Sequence, residues 1–296
     1  MLSFKEITLN DREELRRYMY NGGELSCESA FYNLLTWGKI YRNMYAVCDG
    51  QMIIKSNLGD REIFRLPFGS DFNRGMALIK EYCGEDHQPT FWVQEGERLS
   101  RFLPEYSTEY ALEEKRDAGD YIYSREALAD LAGKKYHSKR NHIAAFSREF
   151  DWHFEPLTDG NVEKIRTCAE KWYAENGGRM DKYMQIEKDG IDLLLSKRET
   201  FGVLGGGIFV GEQAVAFTLG TAISDKMFDT HAEKALADYR TAYTVINNAF
   251  AKNVLTGFEY INREDDMGLE GLRRAKLSYH PQMILKKYSC VPKVKT

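Results

Sequence analysis

Gly206-Gly207-Ile208-Phe209-Val210-Gly211-Glu212-Gln213-Ala214-Val215-Ala216-Phe217-Thr218-Leu219-Gly220-Thr221 consists of two β-prone runs joined at Gly211-Glu212. That is the pattern of a tight antiparallel hairpin. Met44 to Lys55, hinged on Asp49-Gly50, reads the same way. One such hairpin in each half predicts a duplicated architecture. Upstream of the second hairpin stand a strand at Trp152 to Leu157, a helix through Val162, Ile165, Ala169, Trp172 and Tyr173, and a second helix around Ile191, Leu194 and Leu195. Gly205-Gly206-Gly207, at the hairpin's entrance, reads as a bend. Downstream come another strand, a helix carrying Ala242, Val245, Ile246, Ala249 and Phe250, a strand at Phe258 to Asn262, a helix at Leu269 to Ser278 and a strand at Met283 to Tyr288.

This order, β, α, α, β, β, β, α, β, α, β, is that of the acetyltransferase-like (acyl-CoA N-acyltransferase) fold, an α/β class with a mixed sheet. The first half adds a strand near Phe4 to Leu9, a helix from Asp11, a helix in Glu28 to Trp37, and strands at Phe91 to Val93 and Tyr121 to Tyr123. Pro104 to Asp120 reads as a surface excursion. Ser124 is a candidate N-cap for the helical stretch that follows. The expectation is two tandem acetyltransferase-like domains: residues 1–150, ending in a basic connecting helix, and residues 151–296.

The chain has 296 residues, 43% of them hydrophobic, which suffices for two cores. Its formal charge of -4 creates no global field toward nucleic acid or anionic lipid, so any such partner must be met by a local patch. Five scattered cysteines, with no Cys-x-x-Cys pair, suit a reduced, cytoplasmic protein. The charged N-terminal stretch and the lack of a long apolar run predict no transmembrane segment, so membrane contact would be peripheral.

Lys134, Lys135, Lys139 and Arg140 form a basic run with Tyr136 and His137 interleaved and no acid before Arg148. Such a run suits several phosphates, and equally a solvated helical face. Lys276 lies four residues after Leu272 and seven after Leu269, beside what spacing marks as an apolar, inward face; it would be partly buried or snorkel to solvent. His231, Glu233 and Lys234 follow a mid-sheet strand, and Glu264-Asp265-Asp266 form an acidic cluster. The six histidines show no metal-ligand spacing, so neither a metal nor a permanently bound cofactor is expected. Nucleophile-elbow, phosphate-loop and dinucleotide motifs are missing.

Four segments carry a resemblance: Asp120 to Tyr123, Leu131 to His142, His231 to Ala235, and Leu269 to Pro281. They resemble the phosphatidylglycerol lysyltransferase C-terminal domain family across roughly the last two thirds of the chain. The chain is more distantly similar to Fem-type aminoacyltransferases, in which a basic helix with a Lys-x-x-x-x-Asn-like segment joins two tandem domains. The resemblance implies an acyltransferase that takes an aminoacyl group from the acceptor end of an aminoacyl-tRNA. The acceptor would be an amine or hydroxyl on a small molecule, peptide or lipid headgroup. The membrane-spanning half of full lysyltransferases has no counterpart here, which speaks against the lipid.

An aminoacyl ester is already activated, so such chemistry needs positioning, a place for a proton and oxyanion stabilisation more than a protein nucleophile. Under the resemblance Lys276, Glu233 and His231 are the candidate catalytic groups. Lys134, Lys135, Lys139, Arg140, Asn141, Lys234 and Arg273 are the candidate substrate contacts. Acetyl-CoA is the alternative donor. The loop that would hold its pyrophosphate reads Tyr239-Arg240-Thr241-Ala242-Tyr243-Thr244, with bulky residues where glycines are needed. A non-catalytic binding module on the same fold is the third reading.

Overall fold

The computed structural model describes residues 2–20, 24–84, 87–176 and 181–293. Its strands are β1 (Lys5–Glu6), β2 (Met44–Cys48), β3 (Gln51–Leu58), β4 (Arg61–Arg65), β5 (Thr90–Gln94), β6 (Tyr110–Glu114), β7 (Asp120–Ser124), β8 (Trp152–Pro156), β9 (Leu204–Val210), β10 (Gln213–Ala222), β11 (Met227–Ala235), β12 (Tyr260–Asn262), β13 (Met283–Leu285) and β14 (Lys287–Pro292). The helices are α1 (Arg12–Met19), α2 (Phe31–Tyr41), α3 (Phe72–Cys83), α4 (Glu97–Tyr106), α5 (Arg125–Asp130), α6 (His137–Glu149), α7 (Val162–Glu175), α8 (Lys182–Ser196), α9 (Arg198–Phe201), α10 (Ala242–Asn253) and α11 (Glu270–Leu277).

Two compact units result, each with a seven-stranded mixed sheet of acetyltransferase-like type. The first comprises the chain to Asp120, Asp265–Glu270 and the segment from Ile284. Its strand order is β1-β2-β3-β4-β5-β14-β6, antiparallel except for β4 beside β5. The second comprises Tyr121–Glu264 and Gly271–Met283. Its sheet runs β13-β7-β12-β11-β10-β9-β8, with β11 parallel to β12. The expected boundary at residue 150 therefore falls inside the second unit, and the basic helix α6 belongs to that unit rather than to a connector. The strand expected at Met283 to Tyr288 is two strands, the second of which crosses into the first unit's sheet.

Both hairpins form where turn chemistry placed them, and Ser124 caps α5 by accepting from the Ala127 amide at 3.2 Å. Two other local readings fail. Pro104 to Asp120 contains the end of α4 and strand β6, whose charged residues hid its period. Gly205 to Gly207 is strand rather than bend: a Cβ on Gly206 would lie 2.5 Å from the Phe154 ring, so the glycines serve close packing.

The second unit's core sets Ala242, Val245, Ile246 and Ala249 of α10 and Phe146 of α6 against Ile208 and Ala216 of the sheet. Burying each large side chain contributes roughly 1.5–3 kcal/mol. The first unit's core gathers Ile53, Phe64, Phe91 and Phe102. That unit also buries ionic groups: Lys287 Nζ donates to Asp120 Oδ1 at 2.7 Å, and Arg98 Nη2 to Glu24 Oε2 at 3.0 Å. Among the described residues no helix is long and apolar enough to cross a membrane.

Candidate functional site

The second unit's parallel pair, Met227↔Tyr260, Phe228↔Ile261 and Asp229↔Asn262, stops at Asn262, while β11 runs on to Ala235. The two strands part there, and side chains from β11, α10 and α6 fill the opening. Leu219 pairs with Ala232 but Gly220 with Thr230, so His231 is an extra residue in β11. Such a bulge re-aims side chains beside it. Gly220 permits the bulge: a Cβ there would come 2.0 Å from the Asp229 carbonyl oxygen.

Glu233 lies at the centre, largely buried. Arg263 Nη2 donates to its Oε1 at 2.6 Å and Asn247 Nδ2 to its Oε2 at 3.2 Å. The Arg263 guanidinium stacks 4.9 Å from the Tyr279 ring centroid and 5.6 Å from that of Tyr123. Tyr279 donates its hydroxyl to Thr244 Oγ1 at 3.3 Å. On the same tyrosine ring, at 3.6 Å, sits the ammonium of Lys139, which donates to Ser278 Oγ at 2.7 Å. Lys139 is only 7% exposed, and burial, then the charge of Arg263, bring its pKa down to about 8 against a partial counter-effect of Glu233. Burial pushes the Tyr279 phenol up. Lys139 is thus an amine able to hold or release a proton near neutrality, beside a fixed guanidinium and a carboxylate.

Of the residues singled out in the sequence, Glu233 and Lys139 meet here. Lys276 is buried and donates to the Arg263 backbone carbonyl at 2.5 Å, with the Tyr121 ring 5.7 Å away. It holds the start of the loop that carries Arg263. Its burial does not come from an inward leucine stripe, because Leu269 and Leu272 are exposed. His231 is buried with Nε2 2.8 Å from Thr221 Oγ1, and Nδ1 3.1 Å from Glu264 Oε1 and 3.4 Å from Asp229 Oδ2. These ligand atoms converge within 4.8 Å, a grouping with metal-binding geometry that histidine spacing alone does not reveal. The same contacts are those of an imidazole hydrogen-bonded on both sides.

Lys234 leaves β11 on the other face, where its ammonium bonds Glu187 Oε1 at 2.8 Å and lies 4.2 Å from the Trp172 ring. Arg140 donates to the Leu131 and Gly133 carbonyl oxygens, closing the turn after α5. Asn141 bonds His137 one helical turn back, Lys134 and Lys135 are exposed, and Arg273 is half-buried on α11. Arg263, Asn247 and Tyr279 were not legible as site residues, since nothing local distinguishes an arginine after a strand or a tyrosine on an apolar stripe.

The family described as "Phosphatidylglycerol lysyltransferase, C-terminal" matches residues 23–291. The chain belongs to this family. A Bacteroides thetaiotaomicron protein of unknown function is 32% identical, with a TM-score of 0.90 over 99% of this chain and 100% of that one. L-PGS from Bacillus licheniformis superposes with a TM-score of 0.65 at 14% identity, covering 97% of this chain and 93% of that one. FemX gives 0.62 at 8% identity, covering 97% and 96%. These two likenesses show the shared fold. A curated relative, the uncharacterized protein MYCGA3080 of Mycoplasmoides gallisepticum, is 21% identical over 173 residues, and the match spans 54% of its length.

Proposed function

We propose that this family member is an acyltransferase that moves an aminoacyl group from an aminoacyl-tRNA to an amine or hydroxyl acceptor, with the opening beyond the β11–β12 pair as its reaction centre. The observation that carries the reading is the largely buried Glu233–Arg263 pair in that opening, with Lys139 and Arg263 both on the Tyr279 ring. An activated ester needs no protein nucleophile. The cluster offers a carboxylate to orient an ammonium or accept a proton, and an amine poised near neutrality. Lys276 acts as a positioning residue through the Arg263 carbonyl, and His231 through Glu264. Exposed Lys134 and Lys135 are the contacts available to tRNA phosphates, while Arg140 shapes their turn. Membership of the lysyltransferase family supports the donor class.

Acetyl-CoA remains the second reading, and one observation weighs against it. The segment at the start of α10 is filled: Tyr239 packs on the Phe150 ring at 4.8 Å, and Tyr243 accepts from Trp172 Nε1 at 3.2 Å. A pyrophosphate approaching this backbone would meet side chains.

The test is retention of charged tRNAs from a mixed pool across a salt series, beside acetyl-CoA. Binding that weakens with salt, and weakens further in Lys134→Ala/Lys135→Ala, supports transfer. Failure to bind at low salt overturns it, and saturable acetyl-CoA binding would move the assignment to the coenzyme.

A further inference from the structure

The charges in the second unit's opening do not balance. Lys139 and Arg263 bring two cations, the first buried and the second largely so, and Glu233 brings one carboxylate, whose two oxygens accept from Arg263 Nη2 and Asn247 Nδ2. Arg263 Nη1 is buried and donates to no acceptor among the described residues. Lys139 donates to Ser278 Oγ, which passes its own proton to the Ala275 carbonyl oxygen, and no carboxylate lies within ion-pair distance of its ammonium among the described residues. A buried cation left without a counter-charge is costly, and buried donors are ordinarily satisfied. Both cations lie against the ring of Tyr279.

We propose that Arg263 and Lys139 form an anion pocket on the ring of Tyr279 that takes one oxyanion, a carboxylate or a singly charged phosphate ester. One negative charge balances the cluster: the guanidinium contributes Nη1–H, and the ammonium contributes a proton not given to Ser278. Lys139 touches Ser278 and the Tyr279 ring after α11, and the charges acting on it are those of Arg263 after β12 and Glu233 on β11. Of these Glu233 alone is anionic. Use of the pocket for the oxyanion that develops on an ester carbonyl rests on the transfer reading above; the pocket itself rests on the charge count and the unspent donors.

The experiment is NMR of the protein carrying lysine labelled at Cε, with the Lys139 signal assigned by its loss in Lys139→Arg. It is titrated with acetate and, separately, with dimethyl phosphate at constant ionic strength. The pocket predicts that at least one probe moves the Lys139 signal saturably and raises its pKa, because a bound anion favours the charged amine. Response to acetate alone identifies a carboxylate site, and response to the diester alone a phosphate site. Arg263→Gln should weaken binding about tenfold to a hundredfold, the loss of one charge-assisted hydrogen bond. Should that variant fail to fold, Lys139→Gln, read by calorimetry with the same probe, replaces it with the same expectation. A Lys139 signal indifferent to both probes in wild type, or undiminished binding in a folded variant, overturns the proposal. Anion binding without transfer would leave the pocket standing and remove the transfer reading; transfer without anion binding would do the reverse.

Discussion

Each unit has a parallel strand pair, and the openings beyond the ends of the two pairs are filled by different charge arrangements. In the first unit the pair β4–β5 ends at Arg65↔Trp92. There Trp92 Nε1 donates to Glu28 Oε1 and Gln94 Nε2 to Glu24 Oε2, both at 2.7 Å. Arg98 pairs with Glu24, Lys287 with Asp120, and Arg65 lies 3.8 Å from Glu28. Three cations face three carboxylates. In the second unit two cations face one carboxylate. A balanced buried network is a self-sufficient piece of structure, whereas an unbalanced one carries a cost that a ligand can relieve. The same topology thus holds a closed cluster in one unit and a candidate reaction centre in the other.

The largest expected effect lies in the balanced cluster. Lys287→Met strands the buried Asp120 carboxylate and should lower unfolding free energy by about 3–5 kcal/mol. Chemical denaturation followed by tryptophan fluorescence checks this, and a loss below 1 kcal/mol, on the order of one ordinary hydrogen bond, would break the contrast. Arg263→Leu should cost somewhat less, about 3 kcal/mol, since Asn247 still donates to Glu233.

Lys139→Met should change stability at neutral pH by no more than about 1 kcal/mol, or raise it, because it removes a buried charge that has no partner carboxylate. The pH dependence sharpens this. The folded value near 8 lies below the ordinary lysine value of about 10.4, so between them the unfolded chain holds the extra proton. Wild-type stability should therefore rise relative to Lys139→Met as pH climbs from about 8 toward 10.4, and parallel pH–stability curves would contradict it. The smallest effect is a surface control: Glu212→Ala breaks an exposed pair with Lys164 and should leave the denaturation midpoint unchanged.

Much of the fold was legible because its signals are local. Asp49-Gly50 and Gly211-Glu212 are turns whose flanking runs pair with each other, and α7 and α10 show their apolar period openly. What was not legible depends on distance. Nothing in Lys287 to Pro292 announces that it pairs with Phe91 to Gln94 rather than with a strand nearer in sequence. The expected boundary at 150 fails for the same reason. At the site, Glu233 stood out by its place beside a mid-sheet strand and Lys139 as part of the basic run from Lys134 to Arg140. Arg263 and Tyr279 gain their meaning only when β12, α6 and the turn after α11 converge. Lys276 was rightly singled out as buried, yet for a reason the exposed Leu269 and Leu272 disprove.

The most direct measurement is the titration of the Lys139 ammonium in the free protein by NMR. A pKa near 8, well below the ordinary lysine value, is the expected result for a buried cation beside Arg263 with too little negative charge around it. A value at or above the ordinary lysine range would mean that the cluster is already balanced, and would remove the distinction between the two openings.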